Sequence, residues 1–230
     1  MITNKGELLR RYCVFMIGIS LGALGVTLYA KAALGVNSVA CASYVFSYYF
    51  PITMGMMSII LYGLMMLGQF FLYPKEQRRT AIVNMILQVP AIIVFGLLVD
   101  LATYLTSDFI PEQIGYWCCL LCCVISSIII ALCITFQTKA NVVMLPSDGL
   151  VVMYAKHKHY SLGKVKLVFD MSFVIVAVVV SLWQSSFSEI TGVREGSIIG
   201  SLLVGPIVQF LLSYFNFLDP FFTKTSKVKS

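Results

Sequence analysis

The chain has 230 residues, of which 59% are hydrophobic and only 11% charged, with a formal net charge of +6. Soluble domains carry about 45–50% apolar and about 25% charged residues, so this composition excludes an ordinary soluble domain and indicates a chain that lives in a lipid bilayer. Basic loops beside an anionic membrane surface account for the positive charge, so it implies no nucleic-acid partner.

The first apolar run, from Tyr12 to Ala30, follows a short basic N-terminal segment. It is longer than a signal-peptide core and lacks a cleavage site of the Ala-x-Ala kind. We therefore expect a transmembrane helix that stays in the mature protein. Gly18 and Gly22 form a GxxxG pattern within it, which predicts close helix contact, either with the chain's own neighbours or with a second copy or partner subunit.

Six segments are long enough to cross about 30 Å of hydrocarbon as helices of about 20 residues. They lie near 12–31, 53–73, 80–100, 114–138, 163–184 and 196–216. Two further apolar segments, 33–50 and 142–155, are short or interrupted. The sequence predicts an all-α polytopic membrane protein of one domain, with six transmembrane helices and two short broken or re-entrant segments.

The placement of Lys and Arg predicts which side each loop faces, since short cytoplasmic loops carry an excess of both. If the two short segments dip in and return, 14 of the 16 basic residues face the cytoplasm, and only Lys31 and Arg194 lie outside. If both segments cross, the split falls to 10 against 6. We therefore predict six spans in the cytoplasmic membrane, with both termini in the cytoplasm.

The two halves of the chain resemble each other weakly at an offset of 108 residues, where Gly25–Ala32 aligns with Cys133–Ala140. After a further shift of eight, a proline aligns in Val89–Ile92 and Gly205–Val208. Three crossings per half mean that the halves enter from opposite faces. This predicts the inverted-topology repeat of many secondary transporters, whose sites lie near the midplane where discontinuous helices meet. The predicted half-repeats run over about 12–106 and 114–217, before a C-terminal tail at 218–230.

The stretch MLPSDG at 144–149 places a proline, a carboxylate and a glycine between two apolar runs. Non-helical backbone at membrane depth is tolerated only where it is buried in protein or lines a wet cavity. Pro146 lacks a backbone donor and Gly149 admits unusual backbone angles, so one interpretation is a break whose free peptide groups bind a ligand, with Asp148 at its edge. The other is a plain cap, in which Ser147 or Asp148 starts the short helix that follows.

The first-half counterpart of this stretch supplies only neutral side chains. We predict that the two interrupted segments together line a cavity for a small polar or charged solute. The predicted substrate-binding residues are Asn37, Ser38, Pro146, Ser147, Asp148 and Gly149.

Asp170 lies one or two turns inside the 163–184 helix, where carboxylates are costly and usually face a partner. Asp170 either forms an ion pair with Lys166, which would snorkel toward the cytoplasm, or belongs to a proton or substrate path. Lys31 and Lys139 end equivalent helices of the two halves. Each either complements the helix macrodipole or acts as a charge partner for an acid or an anionic ligand.

The remaining reactive side chains predict no catalytic chemistry. Four cysteines on one helix are surrounded by apolar residues without a neighbouring histidine, so we interpret them as packing and predict no metal site. They are Cys118, Cys119, Cys122 and Cys123. No nucleotide loop, Gly-x-Ser-x-Gly motif or paired metal-binding histidines occur, and the loops are short, so we predict no cofactor and no enzymatic activity.

Three segments, Leu145–Leu150, Ser161–Lys166 and Gly192–Val208, look like the YczE/YyaS/YitT group of bacterial integral membrane proteins, and Gly25–Val36 resembles that group's first half. The resemblance covers about Val14 to Phe210. It implies a membrane protein for which transport is presumed. The chain departs from the group's pattern in two places: its first-half segment lacks the proline and the acid often found there, and Arg194-Glu195 interrupts a turn that is normally rich in glycine.

The leading functional prediction is a small secondary transporter or channel-like permease. One alternative is a substrate-binding membrane subunit of a multi-component uptake system, docked through the Gly18/Gly22 face. Another is a non-transporting membrane accessory protein. A structure with no polar cavity between residues 35–40 and 145–150 would count against transport.

Overall fold

The computed structural model of the chain describes residues 5–32, 34–73, 78–107, 115–184 and 193–215. Within these ranges the chain forms helices and no strands. The eight helices are α1 (Lys5–Lys31), α2 (Ser38–Tyr49), α3 (Met54–Leu72), α4 (Arg78–Leu105), α5 (Tyr116–Ala140), α6 (Pro146–Lys158), α7 (Leu162–Gln184) and α8 (Glu195–Tyr214). All except α2 and α6 are long and apolar enough to cross a membrane, which confirms the predicted all-α polytopic class.

Two of the long helices extend past their predicted bounds. The first was predicted at 12–31, but α1 already begins at Lys5, because a charged first stretch can continue a helix into water and Glu7 pairs with Arg11 at 2.9 Å. The third was predicted to end at 100, but α4 continues to Leu105. Asp100 does not end the helix because its carboxylate is bonded to the start of α3.

The two short helices begin where the sequence predicted interruptions. α2 has 12 residues and α6 has 13, so each is only about 18–20 Å long at about 1.5 Å per residue. That length falls short of the roughly 30 Å of a bilayer core. Pro146 occupies the first helical position, which suits proline because no backbone donor is needed there.

The structure corrects the predicted cap of α6. Leu145 is the N-cap residue, and no side chain caps the helix. Ser147 and Asp148 instead lie inside the first turn, since the helix already starts at Pro146. The interpretation of Ser147 or Asp148 as a plain N-cap was therefore wrong.

Both short helices return to the end of the bundle from which they came. We call the end where α1 begins the near end and the opposite end the far end. Lys31, which ends α1, and Thr53, which precedes α3, line one pocket together with Asp100, so α2 starts from and returns to the far end.

The same holds for α6 at the near end. The Arg11 guanidinium donates to the Ala140 carbonyl at 2.9 Å, which places the end of α5 beside the start of α1. Phe136 of α5 stacks edge-on with Phe215, which follows α8, and the start of α7 at Gly163 lies beside Gln209 of α8. The segment from α5 to α7 therefore leaves and re-enters at the near end.

Exchanging the two halves of the chain preserves the packing of the helices. α2 packs against α7, and its counterpart α6 packs against α3, so each short helix lies on the other half. The starts of α2 and α6, and those of α3 and α7, are each 108 positions apart. The α3–α4, α1–α4 and α2–α3 contacts likewise have counterparts in α7–α8, α5–α8 and α6–α7, whereas the smaller α2–α8 contact has none of comparable size.

The glycine face of α1 is an internal contact. Gly18 and Gly22 are buried against α5, and a Cβ added at Gly18 would lie 3.1 Å from Phe136 Cβ. Of the two alternatives that the GxxxG pattern left open, the structure therefore shows contact with the chain's own neighbouring helix. The face is thus not available for docking a partner, and association with a second subunit, which stays a prediction, would require another surface.

The outer surface of the bundle has the character of a membrane protein. Large apolar side chains are exposed along the long helices, among them Leu64, Phe71 and Val168. Exposed aromatic residues stand at both ends of the bundle, as expected where a helix meets the membrane–water interface. They include Tyr104, Trp117 and Trp183 at the far end and Tyr160 and Tyr214 at the near end.

Candidate functional site

A buried cavity of about 50 Å³ lies where the first turns of α2 and α6 meet. Four of the six predicted substrate-binding residues line it: Asn37 and Ser38 from the first half, and Ser147 and Asp148 from the second. The long helices α1, α3, α4, α5 and α7 complete the wall. The polar cavity that the sequence predicted between residues 35–40 and 145–150 is therefore present.

The other two predicted residues, Pro146 and Gly149, lie outside the cavity and contact Gln69. The Pro146 carbonyl accepts a hydrogen bond of 2.6 Å from the Gln69 amide, which in turn accepts one of 3.2 Å from Gln88. A Cβ added at Gly149 would lie 3.1 Å from Gln69 Nε2, so a side chain at this position would crowd the amide pair. Pro146 and Gly149 thus position the first turn of α6 and do not line the central cavity.

The cavity receives two helix N-termini. The first backbone N–H groups of a helix have no partner within the helix and carry a partial positive charge. Asn37, 6% exposed, precedes α2, and its side-chain oxygen has no hydrogen-bond partner among the described residues. Ser38 has a φ of 24°, in the left-handed region that residues other than glycine adopt only at a cost, so local strain coincides with the site.

A buried ion triad closes one side of the cavity. Lys166 Nζ lies 3.1 Å from Asp148 Oδ1 and 3.1 Å from Asp170 Oδ1. Lys166 is 7% exposed and Asp170 is 0% exposed. The predicted ion pair between Lys166 and Asp170 is present, but the predicted snorkelling of Lys166 is wrong, because Asp148 on α6 holds the ammonium group inside the protein.

The triad joins two helices of the second half, and side chains of the first half lie beside it. Asp148 comes from α6, whereas Lys166 and Asp170 lie on one face of α7 at a spacing of four residues. Ser38 of α2 lies beside the Asp170 carboxylate, and Tyr62 of α3 lies beside Ser147 and Asp148. With both carboxylates ionised, the three charged side chains sum to one negative charge.

Two buried side chains, which lie 108 positions apart, hold the extended segments that precede the two short helices. Gln137 of α5 accepts a hydrogen bond of 2.9 Å from the backbone N–H of Leu145, just before α6. Tyr29 of α1 donates one of 2.7 Å to the Gly196 carbonyl at the start of α8, and the Gly196 N–H donates to the Leu34 carbonyl at 2.8 Å. Tyr29 and Gln137 are 108 positions apart, which is also the spacing of the short helices.

The structure does not bring the predicted charge partners Lys31 and Lys139 into this site. Each lies in the last turn of its helix, Lys31 of α1 at the far end and Lys139 of α5 at the near end. Both positions suit the negative end of a helix dipole, which was the simpler of the two interpretations.

The four cysteines near the start of α5 form no metal centre in the part of the chain that the structure describes. No group of three or more His, Cys, Asp or Glu side chains there is placed to hold an ion. Cys119 and Cys123 are buried in the core, while Cys118 faces outward.

Sequence reasoning missed the roles of Lys166, Gln137 and Tyr29. Lys166 was assigned to the cytoplasmic surface because it lies near the start of a span. A signal was available for Gln137, since a lone amide within an apolar helix in lipid calls for a partner. No signal linked either Gln137 or Tyr29 to the segments that follow them.

In the described part of the chain, six helices long and apolar enough to cross a membrane, two short internal helices and a buried polar site define a polytopic membrane protein. Residues 9–213 match a family described as a family of unknown function (DUF6198), and the chain belongs to that family. Comparison with curated proteins and with solved structures gives no match.

Proposed function

We propose that the protein is a small membrane transporter for a small polar or charged solute, which binds in the central cavity between α2 and α6. One observation carries this proposal. Two short helices, one from each half of the chain, direct their N-termini into the same buried polar cavity. Discontinuous helices that meet inside the membrane form the substrate sites of many secondary transporters.

The exchange of the two halves supports an inverted-topology repeat. α2 dips from the far end and α6 dips from the near end, and each packs on the opposite half. Two such halves can rock against each other around a fixed site, which is the usual basis of alternating access.

Pockets on both sides of the central cavity fit this mechanism. A pocket of about 390 Å³ near the start of α6 is lined by Gln69, Gln88 and Gly149. A pocket of about 630 Å³ at the far end is lined by Lys31, Thr53 and Asp100. The central cavity has room for only a few waters, since one water needs roughly 10–15 Å³ of cavity volume, so the site in this conformation suits a small solute.

The contents of the cavity favour transport over the two alternatives. Buried charges inside a membrane are costly and usually mark an ion or substrate path, so the ion triad favours transport over a non-transporting accessory role. The uptake-subunit alternative relied on the Gly18/Gly22 face, which α5 covers. Orientation in the cytoplasmic membrane with the near end facing the cytoplasm follows from the basic loops and belongs to the same proposal.

Thermal-shift screening of the purified protein against ions and small metabolites tests the proposed site. A ligand that binds only the folded protein raises its melting temperature, by an amount that grows with the ratio of ligand concentration to Kd. We expect Asp148→Asn to reduce this shift. The control is Asp100→Asn, which removes a carboxylate that bonds Thr53 and Gly55 outside the cavity and should leave the shift unchanged.

Uptake by the lone chain in liposomes then separates the functions. A ligand that is bound and carried across the membrane supports the transporter. Binding without uptake, together with an ATPase that co-purifies from native membranes, would favour the uptake subunit. A ligand shift that is equal in the wild type and in Asp148→Asn would contradict the central cavity as its site.

A further inference from the structure

The ion triad contains two carboxylates and one ammonium group, and the two carboxylates differ in their surroundings. Asp148 lies in the first turn of α6, where the positive end of the helix favours an ionised acid. Asp170 lies in the interior of α7, away from either helix end. Lys166 therefore has one partner that is stabilised as an anion by its helix and one that is not.

Asp170 is paired with Lys166 and lies beside the Ser38 side chain, but its carboxylate receives no well-aligned hydrogen bond among the described residues. It is 0% exposed, and Lys166 Nζ is 3.1 Å from Oδ1. A buried ionised carboxylate without hydrogen bonds is unfavourable in an apolar interior. A proton removes this charge.

Among the residues that the structure describes, Asp170 has one cationic neighbour, and that neighbour is shared with a second carboxylate. Ser38 faces it from α2, Asp148 from α6 and Lys166 from its own helix. Tyr62 of α3 and Cys133 of α5 lie close to Asp148 and Lys166. The charged residues of the described part of α8, Arg194 and Glu195, are exposed at its far end.

We propose that Asp170 is a proton-binding site within the triad, and that its proton is the ion coupled to solute movement. The coupling role rests on the proposed transport function, whereas the proton site itself does not. When Asp170 takes up a proton from solvent, Lys166 and Asp148 form a neutral pair. When it releases the proton, Lys166 is again shared between two carboxylates.

The triad borders a small space on the near side as well as the central cavity. A second cavity, of about 10 Å³, is lined by Asp148, Lys166, Leu162 and Gly205. Asp148 and Lys166 thus separate this cavity from the central one. The smaller space fits about one water molecule beside Asp148 and Lys166.

Infrared difference spectroscopy of the full-length protein in lipid, recorded between alkaline and mildly acidic pH, tests the proton site. A protonated carboxyl group has a carbonyl stretch that an ionised carboxylate lacks. We expect a band of this kind in the wild type, its loss in Asp170→Asn, and its retention in the control Asp100→Asn. In Asp148→Asn the band should appear only at lower pH, because Lys166 then pairs with Asp170 alone.

A second variant covers the case in which Asp170→Asn does not fold. In protein labelled with carbon-13 at the aspartate side-chain carboxyl, the band of the wild type should shift. In Asp170→Glu, which keeps an acid at this position, the band should no longer respond to aspartate labelling. A band that disappears in Asp148→Asn and persists in Asp170→Asn, or a folded wild type without any such band, would overturn the proposal.

The spectrum requires neither a solute nor a gradient, so it can succeed or fail independently of transport. If the band of Asp170 is observed but the protein transports no solute, the proton site is supported and the coupling role is refuted.

Discussion

Lys166 shows at the scale of single residues how the site depends on the assembled fold. Its pairing with Asp170 could be predicted because residues four apart lie on the same face of one helix. Its pairing with Asp148 could not, since that contact requires α6 to pack on α7. The second carboxylate holds Lys166 inside the protein, where sequence reasoning placed it at the surface.

Replacing Lys166 by methionine should destabilise the folded protein by about 3–5 kcal/mol, because it leaves two buried carboxylates without a cation. Denaturant unfolding of the purified variant in detergent measures this loss. Adding Asp170→Asn to the same chain should recover part of it, since one of the two orphaned charges is then removed.

The control for this change is Lys31→Met, at the partly exposed end of α1. We expect it to cost only about 0.3–1 kcal/mol, the usual contribution of a cation at a helix C-terminus. Equal losses in Lys166→Met and Lys31→Met would show that the triad is not an ionised cluster.

Gln137 supports the site through the backbone. Gln137→Leu should cost about 1–3 kcal/mol, because the buried N–H of Leu145 loses its acceptor and α6 loses its fixed starting point. The measurement is unfolding of Gln137→Leu beside Gln209→Leu, whose side chain is exposed on α8. If the two variants unfold alike, Gln137 does not hold the approach to α6.

At the scale of helices, the six spans and two short segments followed from length and apolar composition, which are local properties of the sequence. The start of α6 at Pro146 also followed from the chemistry of proline. The extensions of α1 and α4 did not, because a span limit set by hydropathy does not show where a helix ends in water. The partners of Tyr29 and Gln137 depend on how separate helices pack, which no local pattern contains.

The contact between α8 and the approach to α2 depends on Gly200. A Cβ at this position would lie 2.6 Å from the Tyr29 hydroxyl and 3.3 Å from Asn37 Oδ1. Gly200→Ala should therefore displace Tyr29 from the Gly196 carbonyl and cost about 1–3 kcal/mol, as overpacking of a core typically does. Thermal unfolding and ligand binding of the variant measure the effect.

Gly63→Ala is the matched control on α3, since a Cβ there meets nothing within 4 Å. Replacing a helical glycine by alanine reduces the conformational entropy of the unfolded chain, so it should stabilise the protein by about 0.5–1 kcal/mol. The two substitutions thus have opposite expected signs. A stabilising effect of Gly200→Ala would mean that Tyr29 and Asn37 do not crowd this position.

At the scale of the whole molecule, the arrangement depends on both short helices returning to their own side. Cysteines introduced singly into a chain without native cysteines report the return of α6 in intact cells. Tyr73→Cys and Ser161→Cys, at the near end, should react with an impermeant maleimide only after permeabilisation. Ser107→Cys, at the far end, should react at once.

Opposite accessibility of positions 73 and 161 would mean that the chain between them crosses the membrane an odd number of times. The two-fold exchange of the halves would then fail, and with it the inverted repeat. Reaction of all three positions from the same side would contradict the odd number of crossings in each half.

The most direct test of the central site is an experimental structure of the protein in lipid with the ligand found by thermal-shift screening. We predict density for that ligand between the first turns of α2 and α6, in contact with Asn37, Ser147 or Asp148. Density confined to another surface, with the space between the two short helices filled by side chains alone, would contradict the account.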